Sequence, residues 1–183
     1  MKLLDGKAAI ITGASAGIGR AAAGLFAEHG ASLVLVVRRA DRLEEVAAKI
    51  EQDGGQVRVV VGDVTQENTH RDAVAMAVDT FGRLDVAFNN AGLVGEMGPL
   101  ADTCMETWTQ VIDANLTAAF LGARSQIPAM LAGGGGALVF TSSFVGNSVG
   151  LPGMGSYAAA KAGLMGLVRA VTADYAAQGI RAN

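Results

Sequence analysis

Tyr157 and Lys161 stand four residues apart in the Ala-rich run Tyr157-Ala158-Ala159-Ala160-Lys161. If that run is helical, the two side chains share a face. A free phenol ionises near ~10, and a neighbouring ammonium favours its charged form. Such a pair can give a proton to a carbonyl oxygen or take one from an alcohol. The spacing alone is weak, because it also fits an interfacial tyrosine on an amphipathic helix. Ser143 follows the apolar run Ala137 to Ser142. Its hydroxyl then sits beyond the carboxyl end of a strand, where open α/β sheets receive ligands. A plain turn serine is the other reading, and Ser142 competes with it. Asn115 falls inside a long helical stretch, where asparagine has poor propensity. It is either a tolerated polar residue or one kept for its amide.

Glycines supply a second signal. Thr12-Gly13-Ala14-Ser15-Ala16-Gly17-Ile18-Gly19 joins an apolar run to an Ala-rich helical one. Such a turn lets backbone approach a pyrophosphate while the helix N-terminus directs N–H groups and partial positive charge at it. The common dinucleotide fingerprint is G-x-G-x-x-G, whereas this turn reads G-x-x-x-G-x-G. A tight strand-to-helix connection is the alternative. Its place after the first strand of a βαβ unit favours a nucleotide.

The elements that must position these residues alternate along the chain. Short apolar runs at Ala8 to Thr12, Ser32 to Val37, Val57 to Val61, Leu84 to Asn89 and Ala137 to Ser142 read as strands buried on both faces. Ile180 to Asn183 begins a sixth. Helices are predicted over Ile18 to His29, Asp41 to Gln52, Asn68 to Phe81, Met105 to Leu131 and Tyr157 to Gln178, with Gly30, Gly82 and Gly179 as stops. Pro128 should disturb the last turn of the fourth. Cys104 reads as a plain helix-start residue. The pattern implies α/β: one domain over residues 1–183, a doubly wound parallel sheet (a Rossmann fold) with helices on both faces.

The T-G-x-x-x-G-x-G turn resembles that of the short-chain dehydrogenase/reductase family, and further motifs follow in the family order. Asn89-Asn90-Ala91-Gly92 is similar to its N-N-A-G motif, and Asp63 in Gly62-Asp63-Val64 to its adenine-contacting aspartate. Asn115, Ser143, Tyr157 and Lys161 match its tetrad, with Ser143-Phe144-Val145-Gly146 fitting S-x-x-G better than Ser142 does. Ser143 lies one residue farther from Tyr157 than in many members. The resemblance implies an oxidoreductase that moves hydride between a nicotinamide cofactor and a carbonyl or alcohol substrate. It gives Tyr157 the proton, Ser143 the substrate oxygen, Asn115 a proton-relay water and Lys161 the nicotinamide ribose. Gly13, Ser15, Ala16, Gly17, Ile18, Gly19, Asp63, Val64, Asn90, Ala91 and Gly92 are the remaining cofactor contacts it implies. Thr12 is expected to brace the first turn and Asn89 to tie neighbouring strands. Val37 occupies the position of the family's NAD-selecting aspartate and cannot accept a hydrogen bond. Arg38 and Arg39 follow at once, and planar guanidinium forks suit a 2′-phosphate. NADP is therefore the expected cofactor, with NAD the other candidate and nearby Asp41 opposing the phosphate reading.

The family continues past Arg181-Ala182-Asn183 into a substrate segment, so these residues are expected to belong to a chain some tens of residues longer. A dinucleotide-binding or regulatory module without turnover is the rival that this raises; a related epimerase or dehydratase fits the glycine spacing less well. The resemblance also implies a homo-oligomer, dimer or tetramer.

Composition bounds the rest. Of 183 residues, 51% are apolar and 17% charged, enough for a core and against disorder. A net charge of −3 argues against a protein held mainly by nucleic-acid phosphates or anionic membranes. One cysteine permits no intrachain disulfide and suits a reducing compartment. His29 and His70 with a single cysteine form no metal-ligand pattern. No apolar run reaches the ~18 residues of a membrane span, and the start carries no secretory h-region. The expectation is a cytoplasmic protein.

Overall fold

A computed structural model describes residues 2–38 and 44–183. Six parallel strands form one sheet in the order β3-β2-β1-β4-β5-β6. They are β1 Ala8–Thr12, β2 Ser32–Val37, β3 Val57–Val61, β4 Val86–Asn89, β5 Gly136–Phe140 and β6 Ile180–Ala182. The helices are α1 Gly17–Glu28, α2 Glu44–Gln52, α3 Glu67–Phe81, α4 Met105–Ile112, α5 Ala118–Ala132 and α6 Gly155–Tyr175.

Both faces of the sheet are covered, and β1 shows why its run is apolar without alternation. Ile10 packs into a core with Val34, Ala87 and Leu138 of the neighbouring strands and residues of α3, α5 and α6. Ala9 and Ile11 point the other way, into a core with Leu33 and Leu35 and residues of α1 and α2. The strand order reverses between β1 and β4, and this is the switch point at which such sheets open a crevice.

The fourth predicted helix is more complex than its sequence suggests. Between α4 and α5 the backbone widens into a π segment, Asp113–Thr117, with no break in helical direction. Asn115 lies at its centre. Its amide Nδ2 donates to the Val111 carbonyl at 2.8 Å, the oxygen that its own backbone N–H would take in a regular helix. Pro128 does not end α5, which runs on to Ala132. Leu84 and Asp85 precede β4 rather than open it, and β5 starts one residue early, at Gly136. The predicted cap at Asp41 lies outside the described residues. Cys104 stands at the start of α4 as expected and, beyond that expectation, caps it, its Sγ accepting from the Thr107 N–H at 3.5 Å.

Candidate active site

The switch point is held open by Thr12 and Asn90. Thr12, at the end of β1, accepts the N–H groups of Asn90 and Ala91 on its hydroxyl oxygen, at 3.0 Å each. Asn90 Nδ2 donates to the Thr12 carbonyl at 3.2 Å, and its Oδ1 accepts from the Thr141 hydroxyl at 3.0 Å. One asparagine thus links the carboxyl ends of β1, β4 and β5. Asn89 does something other than tie strands with its side chain. It exchanges a buried pair of hydrogen bonds with Gln126 of α5, at 2.9 and 3.0 Å. Gln126, only 1% exposed, carried no sequence signal because its neighbours on α5 are ordinary helix formers.

A cleft of about 570 Å³ opens above these strand ends, within the range of small-molecule sites. Gly13, Ser15, Ala16, Gly17, Arg38, Asp63, Val64, Asn90, Ala91 and Gly92, all among the expected cofactor contacts, line it. Val36, Val37, Gly62, Thr65, Leu93, Gln110, Asp113 and Ala114 also line it. Most of these additions are neighbours of predicted residues, and the α4 and π-segment positions come near only through the fold. Ile18 is exposed on the first turn of α1. Gly19 contributes fit: a Cβ there would strike the Gly13 carbonyl and come within 2.7 Å of Asn90 Nδ2. Arg39 lies outside the described residues.

The walls suit a dinucleotide. Gly13 turns with φ +68°, a conformation that a side chain would resist. Ala16, the N-cap of α1, offers no side-chain hydrogen bond, and the first turn contains no acidic residue. The leading N–H groups of α1 are therefore open to an anion. Asp63 Oδ1 accepts from the Thr65 N–H and hydroxyl, both at 2.9 Å. The Thr65 N–H holds the carboxyl below its ordinary pKa against partial burial, helped by the Thr65 hydroxyl and the positive charge of Arg38. Val37, 3% exposed, offers no acceptor at the end of β2.

Two of the tetrad residues, Asn115 and Lys161, meet at Gly92, which lines this cleft, and Tyr157 stands beside Lys161. A Cβ at Gly92 would run into Asn115 Oδ1 and stand 3.5 Å from Lys161 Nζ. Asn115 is fixed by donating to the Leu93 carbonyl at 2.7 Å, which leaves its Oδ1 buried without a partner. Lys161, on α6, is 3% exposed and donates to the Thr141 carbonyl at 2.6 Å. Burial pushes its pKa down to about 8. Its Nζ lies 5.6 Å from the centre of the Tyr157 ring. Two residues past Thr141, Ser143 accepts the Val145 N–H at 3.1 Å, so its own proton stays free to donate. Ser142 is already engaged, donating to the Lys161 carbonyl and accepting from Asn147 Nδ2 at 2.8 Å.

Residues 7–183 match the family model for short chain dehydrogenase. The cyclohexanol dehydrogenase of Acinetobacter sp. is 40% identical over 98% of this chain and 71% of its own. The 3beta-hydroxysteroid dehydrogenase of Mediterraneibacter gnavus is 39% identical over all of this chain and 66% of its own. This chain therefore spans about two thirds of the length of these relatives. Carveol dehydrogenase from Mycobacterium avium, solved in complex with NAD, superposes with a TM-score of 0.95 at 30% identity, over 100% of this chain and 71% of that one. With fold, cleft and sequence in agreement over its length, the chain belongs to the short-chain dehydrogenase family, whose enzymes act on CH–OH and C=O groups with a nicotinamide cofactor.

Proposed function

We propose that this chain is an NADP-preferring oxidoreductase transferring hydride between the nicotinamide and a carbonyl/alcohol substrate, within a single domain spanning residues 1–183. The observation that carries the reading is the convergence of Asn115 and Lys161 on Gly92, one of the residues lining the cleft of about 570 Å³. The bound cofactor supplies or accepts the hydride. The protein binds, orients and moves a proton.

The first turn of α1 with Gly13, Ser15, Ala16, Gly17, Ile18 and Gly19 receives the pyrophosphate. Asp63 and Val64 meet the adenine, and Asn90, Ala91 and Gly92 form the floor toward the nicotinamide. Ser143 donates its free hydroxyl proton to the substrate oxygen. In reduction, Tyr157 gives its phenolic proton to that oxygen; in oxidation it takes the proton back. The Lys161 ammonium stabilises the charge left on the tyrosine oxygen and holds the nicotinamide ribose. Asn115, with its unpaired Oδ1 beside Lys161, provides a place for a relay water.

The NADP preference rests on Val37 and Arg38. The end of β2 presents no carboxylate for ribose hydroxyls, and Arg38 lines the cleft beside Asp63. Arg39 is proposed as a second phosphate partner. Titrating NADPH and NADH into the parent and into a Val37→Asp/Arg38→Ala double variant tests this. The parent should prefer NADPH, and the variant should move toward NADH by about tenfold or more, the cost of losing one charged hydrogen bond. A parent that prefers NADH would reject the assignment. The reading also carries a homo-oligomer and a cytoplasmic location; no described helix is long and apolar enough to cross a membrane.

A further inference from the structure

The oxidoreductase reading leaves the substrate open, and the loops around Tyr157 narrow it. Two loops meet over the first turn of α6: residues 93–104, after β4, and residues 141–154, after β5. The Gly98 N–H donates to the Gly153 carbonyl at 3.2 Å. A Cβ at Gly155 would come within 2.8 Å of Leu100 Cδ1, and one at Gly146 would press on the backbone of Ala158, the neighbour of Tyr157. Both loops are therefore seated on the turn that carries the reactive phenol.

The large side chains they turn outward are mostly apolar, with Glu96, Asp102, Asn147 and Ser148 as the exposed polar ones. Phe144 is 63% exposed, Leu100 64% and Met97 59%, and Val94, Val149 and Leu151 are exposed as well. Phe144 directly follows Ser143. Met97, Leu100 and Pro152 line a second cavity of about 570 Å³ between the loops. The charges are as telling as the apolar surface. From Asn90 to Met105 the only ionised side chains are Glu96 and Asp102, and from Thr141 to Ala160 there are none. The next cation, Lys161, is buried and committed to Thr141. A carboxylate or phosphate on the substrate would lose water against these two loops without meeting a cation from either of them. Glu96 and Asp102 would repel it.

We propose, resting on the oxidoreductase reading, that the substrate is an uncharged ketone or secondary alcohol with an apolar body next to the reacting carbon, and that substrates carrying a carboxylate or phosphate near that carbon are rejected.

The test compares 4-methylacetophenone with 4-acetylbenzoate, which match in shape and differ in charge. The full chain is assayed with NADPH and NADH at low salt. The neutral ketone should lead by about 30-fold or more in kcat/KM, as expected where a desolvated charge finds no partner. Val149→Lys should close that gap by about tenfold, mainly by raising turnover of the carboxylate, with cofactor KM unchanged. Saturation-transfer NMR with cofactor present should show the neutral ketone bound and the carboxylate not, independently of turnover. Equal turnover of both ketones would overturn this inference and leave the oxidoreductase reading standing. No turnover of either with either cofactor would overturn that reading and this inference together. A Val149→Lys variant that alters oligomeric state and leaves selectivity untouched would assign the patch to a chain contact and overturn it too.

Discussion

At the scale of single residues, the proposed chemistry rests on two side chains in unequal environments. Tyr157 is half-buried on the first turn of α6, and Lys161, one turn on, is buried. Tyr157→Phe keeps the ring and removes the proton. We expect turnover to fall about a hundredfold to ten-thousandfold, the usual worth of a general acid, with NADPH affinity little changed. Stopped-flow binding and steady-state rates separate the two, and near-wild-type turnover would take the acid/base role from Tyr157. Lys161 makes a sharper prediction through pH. Burial lowers its pKa from 10.5 to about 8, so the ammonium is present below that value and lost above it. In the reduction direction kcat/KM, which reports the free enzyme, should decline as pH rises through about 8. A profile flat to pH 10 would separate the charge of Lys161 from the chemistry.

At the scale of elements, much of this arrangement was legible in the sequence. β1, β2 and β3 stand where their apolar runs place them, and α1, α3 and α6 begin and end within a few residues of their glycine and polar signals. The cleft-lining glycines were legible because their spacing reports the turn itself. Other features depend on neighbours distant in sequence. The π segment comes from the Asn115 amide taking the Val111 carbonyl, and periodicity does not distinguish that from an ordinary α-helical turn. Gln126 finds its use only when α5 meets Asn89 on β4. Pro128 sits inside α5, which ends at Ala132, one residue past the predicted Leu131, its buried face including Ile127 and Met130. Two glycines let the elements be tested separately. In Gly19→Ala the new methyl meets the Gly13 carbonyl, so the turn must open. The KM for cofactor should rise about tenfold or more, while kcat at saturation changes less. In Gly92→Ala the methyl meets Asn115 Oδ1. There kcat should fall about a hundredfold, as for an ångström-scale misplacement of catalytic groups. Equal effects of both changes on both parameters would deny that the turn serves binding and the π segment serves chemistry.

At the scale of the whole molecule, the buried ionisable groups set how stability follows pH, and they do so against the needs of the site. His70 on α3 is 2% exposed, and its Nε2–H donates to the Val64 carbonyl at 2.7 Å. Burial lowers its pKa below 6.5, with Val64 pulling the other way. As pH falls below about 6.5 the unfolded chain takes up a proton that the folded one refuses, so stability is lost with acid. Asp85, at the opposite end of the sheet from the cleft, accepts from the Ala8 N–H at 3.0 Å and from Lys7 and Arg83. Burial alone would raise its pKa, but Arg83, Ala8 and Lys7 together hold it below 3.8. Its contribution is present above the carboxylate range and lost as pH falls through its depressed value. Lys161 acts at the other extreme. Between about 8 and 10.5 the folded chain gives up its proton while the unfolded chain keeps it, so stability rises with pH there. The melting temperature should therefore fall below about pH 6.5 and again in the carboxylate range, and should gain from Lys161 above pH 8. Calorimetry from pH 3 to 10 checks this, with a variant for each window. His70→Gln should flatten the upper acid step and Asp85→Asn the lower one, while Lys161→Met should remove the alkaline gain. In the wild-type protein that gain falls where carbonyl reduction declines, because the same deprotonation relieves the buried charge and removes the ammonium beside Tyr157. If stability and activity instead move together from pH 8 to 10, Lys161 is not the group that links them.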